Sequence, residues 1–151
     1  MKKYLLFPLM LLIAFAANAQ ELDSLCCQHV PLHEKAMDLE TALSMPNSIA
    51  ADLSMQSPKI TKVPEELAQL TNLQCLDLSF NRVSSFPDNF KNLENLQCLD
   101  LSGNHYLQKL PAFFNEMPNL KIVKLRDMNW SDSKKKETEN EFPNITFVWQ
   151  K

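Results

Sequence analysis

A single glycine, Gly103, occurs in 151 residues. Phosphate-cradling loops of the G-x-G-x-x-G or G-x-x-x-x-G-K-[ST] type need at least two, because the backbone must approach the ligand closely. The G-x-S-x-G nucleophile elbow needs two as well. Nucleotide loops and elbow-type hydrolases are therefore excluded. An excess of positive charge is also missing, since 15 Lys and Arg face 18 Asp and Glu for a formal charge of -3. That balance leaves no basic footprint for nucleic acid. With 45% apolar and 22% charged residues, the chain reads as one globular domain able to bury a core.

What is present begins with an export signal. Lys2 and Lys3 precede an apolar stretch from Tyr4 to Ala17, and Ala17-Asn18-Ala19 places small residues where a signal peptidase reads them. Cleavage is expected before Gln20, making residues 1–19 a signal peptide. The apolar stretch is too short for a comfortable membrane span, and Cys26 and Cys27 lie too far on for lipid attachment. The mature chain would have 132 residues and a charge of -5. It is expected in the periplasm or outside the cell, with no stable membrane span.

Internal repetition dominates the remainder. Leu73-Gln74-Cys75-Leu76-Asp77-Leu78-Ser79-Phe80-Asn81 recurs 23 residues on as Leu96-Gln97-Cys98-Leu99-Asp100-Leu101-Ser102-Gly103-Asn104. Related segments begin at Ser48, Leu120 and Ile145, and asparagine stands before each of the five: Asn47, Asn72, Asn95, Asn119 and Asn144. The motif φ-P-x-x-φ also recurs, as Val63-Pro64-Glu65-Glu66-Leu67, Phe86-Pro87-Asp88-Asn89-Phe90 and Leu110-Pro111-Ala112-Phe113-Phe114.

These residues resemble the leucine-rich repeat family, whose pattern L-x-x-L-x-L-x-x-N-x-L is met by Leu73, Leu76, Leu78, Asn81 and Val83, and again by Leu96, Leu99, Leu101 and Asn104. The resemblance is clear over residues 48–130 and weaker to 151. The first copy departs from it with Gln56 in the asparagine's place, and the copy from Leu120 has Met128 there and no proline motif. It implies an α/β fold: a short right-handed solenoid with one parallel sheet of about five strands, and irregular or 3-10 segments on the convex side. Residues 48–151 would hold the repeats and a closing strand.

The pattern also has a physical reading of its own. Alternation sends Leu76 and Leu78 to one face and Cys75, Asp77 and Ser79 to the other. No single strand of this kind buries its leucines, whereas stacked copies share a continuous core. Asn81 and Asn104 stand where the chain leaves the strand, with a structural role in satisfying turn backbone groups. Such a stack needs capped ends. The helical spacing of Leu32, Ala36, Leu39 and Leu43 predicts a capping helix over 32–45 within an N-terminal segment 20–47. At the other end, Ile145–Trp149 reads as the closing strand and 131–141 as a solvated helix or loop.

The solvent face should carry three rows: Ala50, Cys75, Cys98 and Ile122; Asp52, Asp77, Asp100 and Lys124; Ser54, Ser79, Ser102 and Arg126. The aspartates read first as consensus, solvated positions, and an open sheet has no protected pocket to raise one acid's pKa for catalysis. The chain is therefore read as no enzyme. Phe80, which stands where the next copy has Gly103, implies that glycine is optional there. Phe80, Tyr106, Lys124 and Arg126 are residues the repeat does not require. They are candidates to flank a surface for a protein or peptide beside Asp52, Asp77 and Asp100. The competing reading is that Phe80 and Tyr106 only cover neighbouring side chains.

Cys75 and Cys98 should lie on adjacent strands within disulfide reach, although parallel Cβ vectors do not favour a bridge. Cys26, Cys27, His29 and His33 offer ligand types for zinc without the spacing of a zinc knuckle, so no metal or cofactor is expected. The sequons Asn129-Trp130-Ser131 and Asn144-Ile145-Thr146 read as incidental. The leading expectation is non-catalytic protein or peptide binding outside the cytoplasm. Two rivals stay open: a structural protein that oligomerises through the leader cysteines, and a metal or enzymatic site at the Cys/His leader.

Overall fold

The computed structural model describes residues 35–150, so the predicted signal peptide and the Cys26, Cys27, His29 and His33 cluster lie outside the described residues. Six strands stand in chain order in one parallel sheet. They are β1 (Lys35–Ala36), β2 (Ala50–Asp52), β3 (Cys75–Asp77), β4 (Cys98–Asp100), β5 (Ile122–Lys124) and β6 (Thr146–Val148). Each return to the sheet crosses the opposite, convex side. In three successive repeats that crossing is a 3-10 helix, at Glu65–Gln69, Asp88–Asn92 and Ala112–Glu116.

The recurring prolines explain the start of each crossing. Pro64, Pro87 and Pro111 occupy the N-cap in extended conformation, which their fixed φ favours and where no N–H is needed. Each proline carbonyl then accepts the first 3-10 hydrogen bond, from the N–H of Leu67, Phe90 and Phe114 at 3.3, 3.1 and 3.0 Å.

Leucines from the strands and apolar residues from the crossings meet in one continuous core, from Ala36 and Leu53 through Leu76, Leu99 and Val123 to Ile145. On the convex side the core is aromatic. Phe86 packs edge-on against Phe90 and Phe114, with centroids 5.1 and 5.3 Å apart, and Phe114 continues to Phe142 at 6.4 Å. Phe90, Phe114 and Phe142 are fully buried.

Both ends differ in detail from expectation. The described N-terminal helix, α1, spans Leu39–Ser44, so residues 35–38 and 45 of the expected 32–45 helix are not helical, and residues 32–34 lie outside the described residues. Its start is set by Asp38, whose carboxylate accepts from the backbone N–H and the hydroxyl of Thr41 at 2.7 and 2.9 Å. The helical spacing from Leu32 overran this cap, and Lys35–Ala36 instead extend the sheet by pairing with Ala50–Ala51. At the C-terminal end, helix α2 (Asp132–Glu141) is capped by Ser131 and leads into β6. Trp130 and Trp149 lie 6.0 Å apart there, and the Trp149 indole donates to Glu139 at 2.7 Å.

Candidate functional site

The strands carry their solvent-facing rows in the expected register. Ala50, Cys75, Cys98 and Ile122 are successive partners, as are Asp52, Asp77, Asp100 and Lys124. What these side chains do follows from how the chain leaves each strand. The second residue before the repeat asparagine position opens a turn, and the next residue takes positive φ in every copy: Met55 51°, Phe80 54°, Gly103 70° and Asp127 54°. This left-handed conformation costs a side-chain-bearing residue energy that glycine escapes.

Three groups hold the turn. The backbone ladder continues past the strand, with the N–H of Phe80 donating to the Ser102 carbonyl at 2.7 Å and that of Gly103 to the Arg126 carbonyl at 2.9 Å. The aspartates accept from the backbone two residues on, Asp52 from Ser54, Asp77 from Ser79 and Asp100 from Ser102, at 3.1, 2.8 and 2.9 Å. Finally, the buried Asn104 amide donates to the carbonyls of Leu78 and Leu101, both at 2.9 Å, and its oxygen accepts from the Val83 N–H at 2.9 Å. Asn81 repeats the arrangement one turn earlier with Leu53, Leu78 and Ile60.

The aspartate row is therefore half-buried turn machinery and not a set of solvated carboxylates. Burial pushes the Asp77 carboxyl above its ordinary value, with Asp100 and Asp52 adding to the effect and hydrogen bonds from Ser79 opposing it. Among the described residues, no group of three or more His, Cys, Asp or Glu side chains is gathered to hold a metal ion.

Lys124 departs from expectation as well. It is 5% exposed, with its ammonium 3.9 Å from the Asp100 carboxylate, so it is no exposed anchor. A buried cation beside a carboxylate that already serves a turn neutralises local charge. Arg126 keeps partial exposure, and its Nε donates to the Gln150 carbonyl at 2.8 Å, tying the last two strand exits together.

Phe80 and Tyr106 do stand out from the surface, 41% and 59% exposed. Met55, at 63% exposed, belongs with them and was missed by sequence reading. The signal was present, since Met55 precedes Gln56 as Phe80 precedes Asn81 and the two occupy equivalent places in their copies. The idea that glycine is optional at this position also needs correction. Positive φ is tolerated by Met55, Phe80 and Asp127, yet at Gly103 a Cβ would meet the Phe80 ring at 2.6 Å. Glycine there seats the neighbouring ring.

Cys75 and Cys98 are both disulfide-bonded and buried at 5% and 4%. With fully buried Ala50 they form an apolar cluster on the solvent-facing side, apart from the main core.

Comparison with known proteins agrees with this geometry. Residues 71–115 match the family described as Leucine Rich repeats (2 copies). A solved structure of a leucine-rich-repeat protein from Leptospira interrogans is similar, with 28% identity and a TM-score of 0.61 over 74% of this chain. The match spans 28% of that protein's own length. No curated protein matches significantly. The matched repeats, the parallel sheet built one strand per repeat and the buried asparagines at two of its turns give this chain the fold of leucine-rich-repeat proteins.

Proposed function

We propose that the chain is a non-catalytic module that binds a protein or peptide outside the cytoplasm, through the edge where its strands end. The observation that carries this reading is Phe80, a large apolar side chain held exposed on a left-handed backbone. Conformational cost and an exposed aromatic ring both work against stability, and residues kept under such conditions concentrate at binding sites. Met55 stands at the equivalent place one repeat earlier, and Tyr106 follows the next exit, so the edge offers several anchors. Arg126 adds a cation beside them.

This surface is narrower than the one first expected. Asp52, Asp77, Asp100 and Lys124 serve the turns and one another, which leaves Phe80, Tyr106 and Arg126, joined by Met55, to meet a partner. Action outside the cytoplasm is supported by the signal-like N-terminus and by disulfide-bonded cysteines, which persist in oxidising compartments. No helix among the described residues is long and apolar enough to cross a membrane.

Site-specific photo-crosslinking tests the assignment. A crosslinker at Met55 or Tyr106 should capture a partner in the exported fraction, whereas one at Lys91 on the convex side should not. Phe80→Ser should abolish capture while leaving the thermal transition within a few degrees. Capture from Lys91 alone, or capture unaffected by Phe80→Ser, would assign binding to another surface.

A further inference from the structure

The segments that lead away from the strands carry a charge opposite to that of the chain. Residues 55–63, 80–86 and 103–110 contain four Lys or Arg, namely Lys59, Lys62, Arg82 and Lys109, and no Asp or Glu. The 3-10 crossings that follow, Glu65–Gln69, Asp88–Asn92 and Ala112–Glu116, hold four acids against the single cation Lys91. A chain of net charge -3 thus separates a cationic strip on one flank from acids on its convex side.

Hydrogen bonds between repeats make the strip continuous. The N–H of Arg82 donates to the Ile60 carbonyl at 2.9 Å, that of Ser84 to Thr61 at 3.0 Å, and that of Val63 to Ser85 at 3.1 Å. The third repeat joins through the Val83 N–H, which donates to Asn104 at 2.9 Å. Lys62 and Ser85 are parallel bridge partners. Lys109 takes the same place in the next repeat, standing before Leu110-Pro111 as Lys62 stands before Val63-Pro64 and Ser85 before Phe86-Pro87. Lys62 and Lys109 are therefore two rungs apart, about 10 Å at ordinary strand spacing. Lys59 reaches into the second repeat, its ammonium donating to the Phe80 carbonyl at 2.8 Å.

All four cations are exposed, and among the described residues none is in an ion pair. On the convex side, by contrast, Lys91 pairs with Glu116 at 3.3 Å. Like charges gathered without a counter-charge repel one another, and an anionic partner relieves that repulsion.

We propose that this strip takes an acidic segment of a partner protein, laid in extended form across the repeats with an apolar side chain against Phe80 or Tyr106. The inference rests on the edge-binding reading above and adds the chemistry of the partner. Two rungs are crossed by about three residues of extended chain, so carboxylates at that spacing can meet Lys62 and Lys109. The narrowness of the strip favours a chain over a plane. Glu65 and Glu66 open the crossing just beyond Val63-Pro64, so a broad anionic surface such as a bilayer would meet repulsion there.

Selection of a random linear peptide library on the exported protein at low salt tests the proposal. Enriched peptides should be acidic and carry an aromatic or large aliphatic residue. Raising NaCl from about 50 to about 500 mM should weaken their binding at least about tenfold. Lys62→Glu combined with Lys109→Glu should do the same with the thermal transition kept within a few degrees, and the paired Lys→Gln changes should weaken binding by less. Neutral or basic peptides, acidic ones indifferent to both lysines, or an empty selection would overturn the inference. Binding only to vesicles of phosphatidylglycerol and phosphatidylethanolamine would overturn it in favour of a membrane surface. Peptides lost with Phe80→Ser but indifferent to the lysines would remove the acidic partner and leave the edge-binding reading standing. Peptides indifferent to Phe80 and to the lysines would remove both.

Discussion

The ring of Phe80 rests on Gly103, so close that any Cβ at residue 103 would come within 2.6 Å of its Cδ1. Two repeats are thus locked together at their exits by an aromatic ring and an absent side chain. Gly103→Ala should lower stability by about 1–2 kcal/mol, combining the left-handed backbone cost with displacement of the ring. In the Phe80→Ala background the same substitution should cost less, because only the backbone part remains. Urea midpoints of the four proteins give the coupling directly.

The buried asparagines should outrank every other polar side chain for stability. Asn104→Ala leaves the carbonyls of Leu78 and Leu101 and the N–H of Val83 without the amide that serves them. A loss of about 2–4 kcal/mol follows from unpaired buried groups. Gln56→Ala at the equivalent, half-buried position should cost less, under about 1 kcal/mol. Equal losses in chemical denaturation would show that the two positions do the same work.

Asp77 gives a dependence on pH. Its folded carboxyl protonates at higher pH than in the unfolded chain, because burial and neighbouring carboxylates disfavour the charge. The charged form therefore costs stability at neutral pH, and the cost is relieved as pH falls through the folded value. Asp77→Asn keeps an oxygen to accept from the Ser79 N–H. It should melt higher than the parent at pH 7, with the advantage shrinking as pH falls toward the ordinary value of 3.8. An advantage that grew on acidification would reverse the assignment.

On the convex side, Phe90→Ala should destabilise by about 3–5 kcal/mol, since a fully buried ring leaves a cavity against Phe86 and Phe114. Phe113→Ala, at a half-buried position beside Phe114, should cost less. Thermal melts of both variants rank them.

Most of the scaffold was legible because repetition makes each position a vote. Cys75 and Cys98, or Asp77 and Asp100, had to be register partners once the copies were aligned. The ends lacked that support. Lys35–Ala36 belong to no repeat, and their two-residue strand is dictated by pairing with Ala50–Ala51 rather than by a local pattern. Apolar spacing from Leu32 read as helix, although Asp38 sets the start. At the candidate site, Phe80 and Tyr106 were recognisable as residues the repeat does not demand. The burial of Lys124 was not, because it depends on Asp100 and on packing from outside the strand.

The asparagine bonds also have a direction. Asn81 and Asn104 reach back to carbonyls of the preceding repeat, at Leu53 and Leu78, and accept from its Ile60 and Val83 N–H groups. Asn95 and Asn119, on the outer turns, likewise donate backward to Thr71 and Glu94. At the Asn81 and Asn104 turns the earlier repeat is thus completed by its successor. A chain shortened from its C-terminal side to before Asn104 would leave the buried Val83 N–H without its acceptor, whereas one shortened from its N-terminal side past Leu53 would leave the Asn81 amide without one of its acceptors. The two truncations therefore strand different groups, a backbone donor at one end and a side-chain amide at the other.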